Sequence, residues 1–187
     1  MEKLLFYLLT LSICIGACKT KAPIKESNRQ KSDFFFPIDW VGVYQGELKV
    51  YDAIGQQSKI AMKLTIQQPD ATGMYPWIVQ YGEKDLRYYG LEAIDATKGH
   101  YAIDEYNSIK LDAYLRGNNF ISAFEVQGNT LLFQYTKTAI GIDIQVSINK
   151  VEPQSESGGE IIGKNKIPIV KSFELKSFQK ATLLKIE

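Results

Sequence analysis

At 187 residues, 45% hydrophobic and 23% charged, with a formal net charge of +1, the chain holds about one domain's worth of foldable sequence. That balance excludes a nucleic-acid partner, because the body carries no basic stripe of the kind DNA or RNA binding needs. Low-complexity tracts and clear internal repeats are absent from the sequence.

The first element is an export signal. Residues 4–17 are almost entirely apolar, between a short Met1-Glu2-Lys3 and the lysines after Cys18. A charged start, an apolar run and a small-residue end make up a signal peptide, and the run falls short of the ~20 residues a bilayer span requires. Ile15-Gly16-Ala17-Cys18 resembles the lipobox of bacterial lipoprotein signal peptides. The resemblance implies cleavage before Cys18, a diacylglyceryl group on its thiol and acylation of the new N-terminus, so membrane lipid is the first expected partner. Each buried methylene contributes ~0.8 kcal/mol, and two or more acyl chains anchor stably. Of the two cysteines, Cys14 leaves with the signal and Cys18 is modified. The remaining domain is expected to hold together by packing alone.

Residues 19–32 carry five basic side chains (Lys19, Lys21, Lys25, Arg29 and Lys31) against Glu26, with no apolar periodicity. This reads as a solvated linker. Basic residues near an anionic bilayer are attracted by ~1 kcal/mol each, although a plain spacer explains the composition as well.

From Trp40 to Asn149 the chain alternates with period two. Trp40, Tyr44, Leu48 and Val50 share one face, as do Ile60, Met62, Leu64 and Ile66, and later Ile140, Ile142, Ile144, Val146 and Ile148. Gly117-Asn118-Asn119 and Gly128-Asn129 separate further runs and suit tight hairpins. Nine candidate strands follow, with no convincing helical period. The expected class is all-β: an antiparallel up-and-down β-barrel, which hides its edges by closure, with a two-sheet β-sandwich as the competing architecture.

Trp40-Val41-Gly42-Val43-Tyr44-Gln45-Gly46 followed by serial hairpins resembles the opening of the lipocalin and fatty-acid-binding-protein superfamily, the calycins. Lipocalins open on Gly-x-Trp where this chain has Trp-x-Gly-x-Tyr-x-Gly. The resemblance implies a cup for a small apolar or amphipathic ligand, although such a barrel can instead be filled by its own side chains. By composition 152–166 is a loop, and 167–177 and 180–187 are two further strands, completing the barrel or packing across one end. The expected division is a signal at 1–17, a lipidated N-terminus and linker at 18–36, a barrel at 37–152, and a loop with C-terminal strands at 153–187.

Chemistry-bearing residues are few. His100 lies near Asp104 and Glu105; Tyr101 and Ile103 are the stronger inward positions, which puts His100 outside. No nucleophile elbow, zinc-protease motif or phosphate-binding glycine loop occurs, so no catalytic residue, metal site or cofactor is expected. Arg87 is the residue of most interest. If Tyr89, Leu91 and Ala93 face inward, Arg87 does too, and its spacing to Tyr89 is similar to the Arg-x-Tyr pair that holds a ligand carboxylate in fatty-acid-binding proteins. The opposite register puts Leu86, Tyr88 and Ile94 inside and exposes Arg87. Tyr44, Trp77, Tyr81, Arg87 and Tyr89 are the candidate ligand-binding residues, with simple core filling as the alternative for the aromatics.

The expected function is a membrane-anchored envelope lipoprotein whose barrel binds a small hydrophobic or amphipathic ligand. The alternative is a non-catalytic accessory protein that docks on an envelope protein partner. The chain resembles envelope lipoproteins of Gram-negative bacteria, and Lys19 stands where an aspartate would signal inner-membrane retention. The resemblance implies an outer-membrane, periplasm-facing position.

Overall fold

Alternation becomes a barrel in the computed structural model, which describes residues 34–187; the signal segment, Cys18 and the basic stretch through residue 31 lie outside the described residues. A 3-10 turn, Ile38–Trp40, leads into nine strands that run as an antiparallel meander. They are β1 (Gly42–Tyr51), β2 (Gln57–Ile66), β3 (Tyr75–Tyr81), β4 (Asp85–Asp95), β5 (His100–Asp104), β6 (Lys110–Arg116), β7 (Asn119–Val126), β8 (Asn129–Lys137) and β9 (Gly141–Ser157). A small hairpin of β10 (Ile161–Ile162) and β11 (Asn165–Lys166) follows, and β12 (Val170–Lys185) then returns between β9 and β1. The result is a closed ten-strand up-and-down barrel rather than a two-sheet sandwich. Closure leaves no unpaired barrel edge for another strand to add to.

The hairpin signals act as their chemistry requires. Between β7 and β8 the two central residues are Gln127 and Gly128, both at positive φ (49° and 72°), the geometry of a tight turn that follows the twist of the strands. Asn129, grouped with the turn by sequence, is the first residue of β8. At the other end of β8 the chain turns into Gly141, where an added Cβ would run into the backbone oxygen of Leu183. Only glycine lets β9 approach β12 that closely.

The alternating residues meet inside. Pairings such as Tyr44↔Leu64, Gly46↔Met62 and Leu64↔Val79 put the same-face sets of neighbouring strands in one layer. Trp40, Tyr44, Leu64, Trp77, Phe120, Ile142, Ile144 and Leu183 are essentially without solvent contact. Fully burying a side chain of this kind contributes ~1.5–3 kcal/mol. Without a disulfide among the described residues, these contacts carry the stability.

Three boundaries differ from the sequence expectation. Residues 153–157 are not loop: β9 continues through Ser157, paired to β12 by Val170↔Ser157, Lys171↔Glu156 and Phe173↔Pro153. This stretch is a two-stranded ribbon whose side chains are mostly exposed, so it has no core face to impose alternation. The two C-terminal strands are one strand, bent by register shifts between Ser172 and Ser177, and it is the tenth stave of the barrel, so the domain does not end at residue 152. The linker also stops earlier than residue 36. Phe36 packs against Trp40, Tyr101 and Phe120 with ring centroids 4.8–4.9 Å apart. Among the described residues no helix is long and apolar enough to cross a membrane.

A candidate ligand cavity

The barrel interior divides into a filled region and an open one. At the filled region the 3-10 turn drops Trp40 into the core, fully buried, with Phe36 edge-on against it at 4.9 Å. Tyr44 is equally buried and its hydroxyl donates to the Trp40 carbonyl at 2.7 Å. Burial pushes the Tyr44 phenol up to about 12. Tyr44 thus belongs to the core and not to the cavity, a correction to the expected site. Its ring lies beneath two ammonium groups, Lys137 Nζ at 5.4 Å and Lys185 Nζ at 5.9 Å. Lys137 is only 5% exposed, and its ammonium donates to the carbonyls of Thr138 (3.1 Å) and Gly141 (3.3 Å).

That lysine gives a pH prediction. Burial, with the Lys185 charge close by, holds the Lys137 pKa below the ordinary lysine value of 10.5. The unfolded chain therefore binds this proton more tightly than the fold does. The charge destabilises the native state at neutral pH, and the penalty fades as pH rises through the native pKa toward 10.5. Denaturant titrations of Lys137→Met and the parent should differ in the variant's favour most at neutral pH and less as pH approaches 10.5. A difference that grows with pH would contradict this placement of the charge.

The open region is built by β3 to β8. Trp77, Val79 and Tyr81 alternate inward on β3, and the pairings Trp77↔Tyr89 and Val79↔Arg87 commit Tyr89 and Arg87 of β4 to the same face. The inward register for Arg87 is therefore the one that forms, with the side chain still half-exposed (49%). Leu86, Tyr88 and Ile94 lie on the outer wall, 45%, 59% and 49% exposed. Ala93, expected inside, is exposed next to a register shift between Ala93 and Asp95, where β4 loses its regular pairing to β5. The facing wall comes from Ile103 on β5 and Glu105 just past its end, Leu111 on β6, Ser122 and Phe124 on β7, and Leu131, Phe133 and Tyr135 on β8. Together these enclose a cavity of about 240 Å³. Trp77 and Phe120 line it, 5.7 Å apart between ring centroids, and Tyr135 stands edge-on to Trp77 at 5.4 Å.

Arg87 and Glu105 are the charged residues among the cavity-lining groups. The Arg87 guanidinium donates through Nε and Nη2 to both carboxylate oxygens of Asp85 (2.9 and 2.7 Å) and sits 4.9 Å from the Tyr81 ring centroid. This pairing keeps Arg87 charged and holds the Asp85 carboxyl below its ordinary value. Burial raises the Tyr81 and Tyr135 phenols, so both remain neutral hydrogen-bonding groups at physiological pH.

Of the five expected ligand-binding residues, Trp77, Tyr81, Arg87 and Tyr89 converge on this cavity and Tyr44 does not. The β5–β8 wall, including Glu105, went unassigned in the sequence. Its signal was present, since Phe120, Ser122 and Phe124, then Leu131, Phe133 and Tyr135, alternate cleanly. His100 lies outside the barrel, stacked on Tyr114 at 4.8 Å, with Nε2 2.7 Å from Asp112 Oδ1. Asp104 faces Lys110 at 3.4 Å. No cluster of three or more potential metal-ligating His, Cys, Asp or Glu side chains occurs among the described residues.

No protein-family model and no curated protein matches this chain. Among solved structures it is similar to a protein of unknown function from the DUF3598 family of Nostoc punctiforme PCC 73102, with a TM-score of 0.52 at 10% sequence identity. The similarity covers 78% of this chain and 47% of that one, so the match spans about half the length of that structure. At this identity the likeness concerns the barrel fold alone.

Proposed function

We propose that this protein is a lipid-anchored envelope lipoprotein whose barrel binds a small hydrophobic or amphipathic molecule. The supporting observation is the cavity itself: about 240 Å³, walled largely by aromatic and aliphatic side chains, with a few polar groups among them. Concave, mostly apolar space with sparse polar groups is the usual form of a small-molecule site. A barrel that served only as a scaffold would gain stability by filling that space, as it does around Trp40. The anchor rests on the Ile15-Gly16-Ala17-Cys18 resemblance and the periplasm-facing position on the residue after Cys18; both lie outside the described residues.

A cavity-filling substitution tests the ligand half of this reading. Leu131→Trp adds bulk from the β8 wall, and is expected to weaken binding of an apolar fluorescent probe about tenfold or more while leaving the melting temperature unchanged or higher. Overpacking a close-packed site would instead cost ~1–3 kcal/mol, so a destabilised variant with unaltered probe binding would count against an open cavity.

One observation favours the second reading, an accessory protein that docks on an envelope partner. The β9–β12 ribbon and its hairpin tip expose Ile161 (73%), Ile162 (63%), Phe173 and Leu175, whereas Val41, Val43 and Tyr51 are half-buried.

A further inference from the structure

Resting on the carrier reading above, we propose that the cavity selects compact, uncharged ring compounds bearing a hydrogen-bonding group, and disfavours both long acyl chains and organic anions. Size makes the first cut. At about 240 Å³ the cavity falls below the ~300–1,000 Å³ usual for drug-sized ligands, which suits one or two fused rings better than a long-chain fatty acid. Shape makes the second. Trp77, Phe120, Phe133 and Tyr135 present ring faces and edges to the space, and flat aromatic guests stack on such walls better than flexible chains do.

Charge makes the third cut, and it reverses the expectation that Arg87 captures a ligand carboxylate. The fork of Arg87 is already filled by Asp85 through two hydrogen bonds, and the face of the guanidinium lies against Tyr81. An entering carboxylate would thus meet a cation already paired with one carboxylate, in a cavity that a second acid, Glu105, also lines, and like charges held close disfavour ionisation. A ligand cation would in turn meet Arg87. A neutral hydroxyl or carbonyl has neither difficulty: of the five N–H donors of a guanidinium, Asp85 engages two and the Tyr89 hydroxyl a further one, which leaves a donor for a neutral guest.

Calorimetric titration of the full chain with naphthol, naphthoate and dodecanoate tests the assignment. Naphthol should bind, with naphthoate and dodecanoate weaker by about tenfold or more. Asp85→Asn frees the Arg87 fork and should raise naphthoate affinity about tenfold, the worth of one charge-assisted hydrogen bond. If naphthoate or dodecanoate binds the parent as tightly as naphthol, this ligand class is overturned while the carrier reading stands. Unchanged naphthoate binding in a folded Asp85→Asn protein overturns the charge argument. No binding of any of the three to folded protein overturns both the class and the carrier reading.

Discussion

Trp40→Ala is expected to destabilise the barrel by about 3–5 kcal/mol, the range for deleting a large buried aromatic. Total stability is typically only ~5–15 kcal/mol, so the variant should be partly unfolded in mild denaturant. The reason is local. Trp40 has no solvent contact, stands edge-on to Phe36 at 4.9 Å, and reaches Phe120 at 6.4 Å between ring centroids. Its removal leaves a void that a closed sheet can collapse into only by breaking strand pairs. Leu86→Ala on the outer wall, 45% exposed, is the matched control and should shift stability by no more than about 0.5 kcal/mol. Equal urea midpoints for the two variants would contradict the assignment of Trp40 to the core.

Cys18→Ser is expected to have an all-or-none effect of a different kind. If Ile15-Gly16-Ala17-Cys18 is read as a lipobox, serine offers no thiol to acylate, so the precursor stays uncut and the protein leaves the membrane fraction. The basic residues between 19 and 31 contribute ~1 kcal/mol each near an anionic surface, an attraction that salt screens. Any residual association of the variant should therefore wash off at high ionic strength, whereas that of the parent should persist. Unchanged fractionation and an unchanged processed mass would refute the anchor.

Much of the architecture was legible because one physical rule repeats. A half-buried strand alternates, and Met62, Leu64 and Ile66 or Ile142, Ile144 and Val146 carry that rule into the core, with Ile60 at the start of its run left exposed. What alternation cannot carry is position along the barrel axis. Tyr44 and Trp77 are alike in pattern, both inward-facing and both aromatic, yet one supports Trp40 in the core and the other lines a cavity. Only the register across β1, β2 and β3 separates them. Arg87 was ambiguous for a second reason. Strand β4 is apolar on both faces, with Leu86, Tyr88 and Ile94 against Tyr89 and Leu91, so its own sequence cannot choose. Pairing to β3 makes the choice, because Val79 opposite Arg87 is buried. The Asp85 partner lies two residues away, but a bidentate pair depends on side-chain geometry that spacing does not specify. The ribbon at 153–157 was missed because strands held only by each other need no apolar face.

A carrier barrel must admit a molecule into its half between β3 and β8. Carbon-13 methyl spectra of the protein with naphthol added measure this directly. Shifts are expected at Val79, Ile103, Leu111 and Leu131, which surround the cavity, with Ile142, Ile144 and Leu183 in the filled core unmoved. No shift at saturating ligand, or shifts confined to outer-wall methyls such as Leu86 and Ile94, would contradict it.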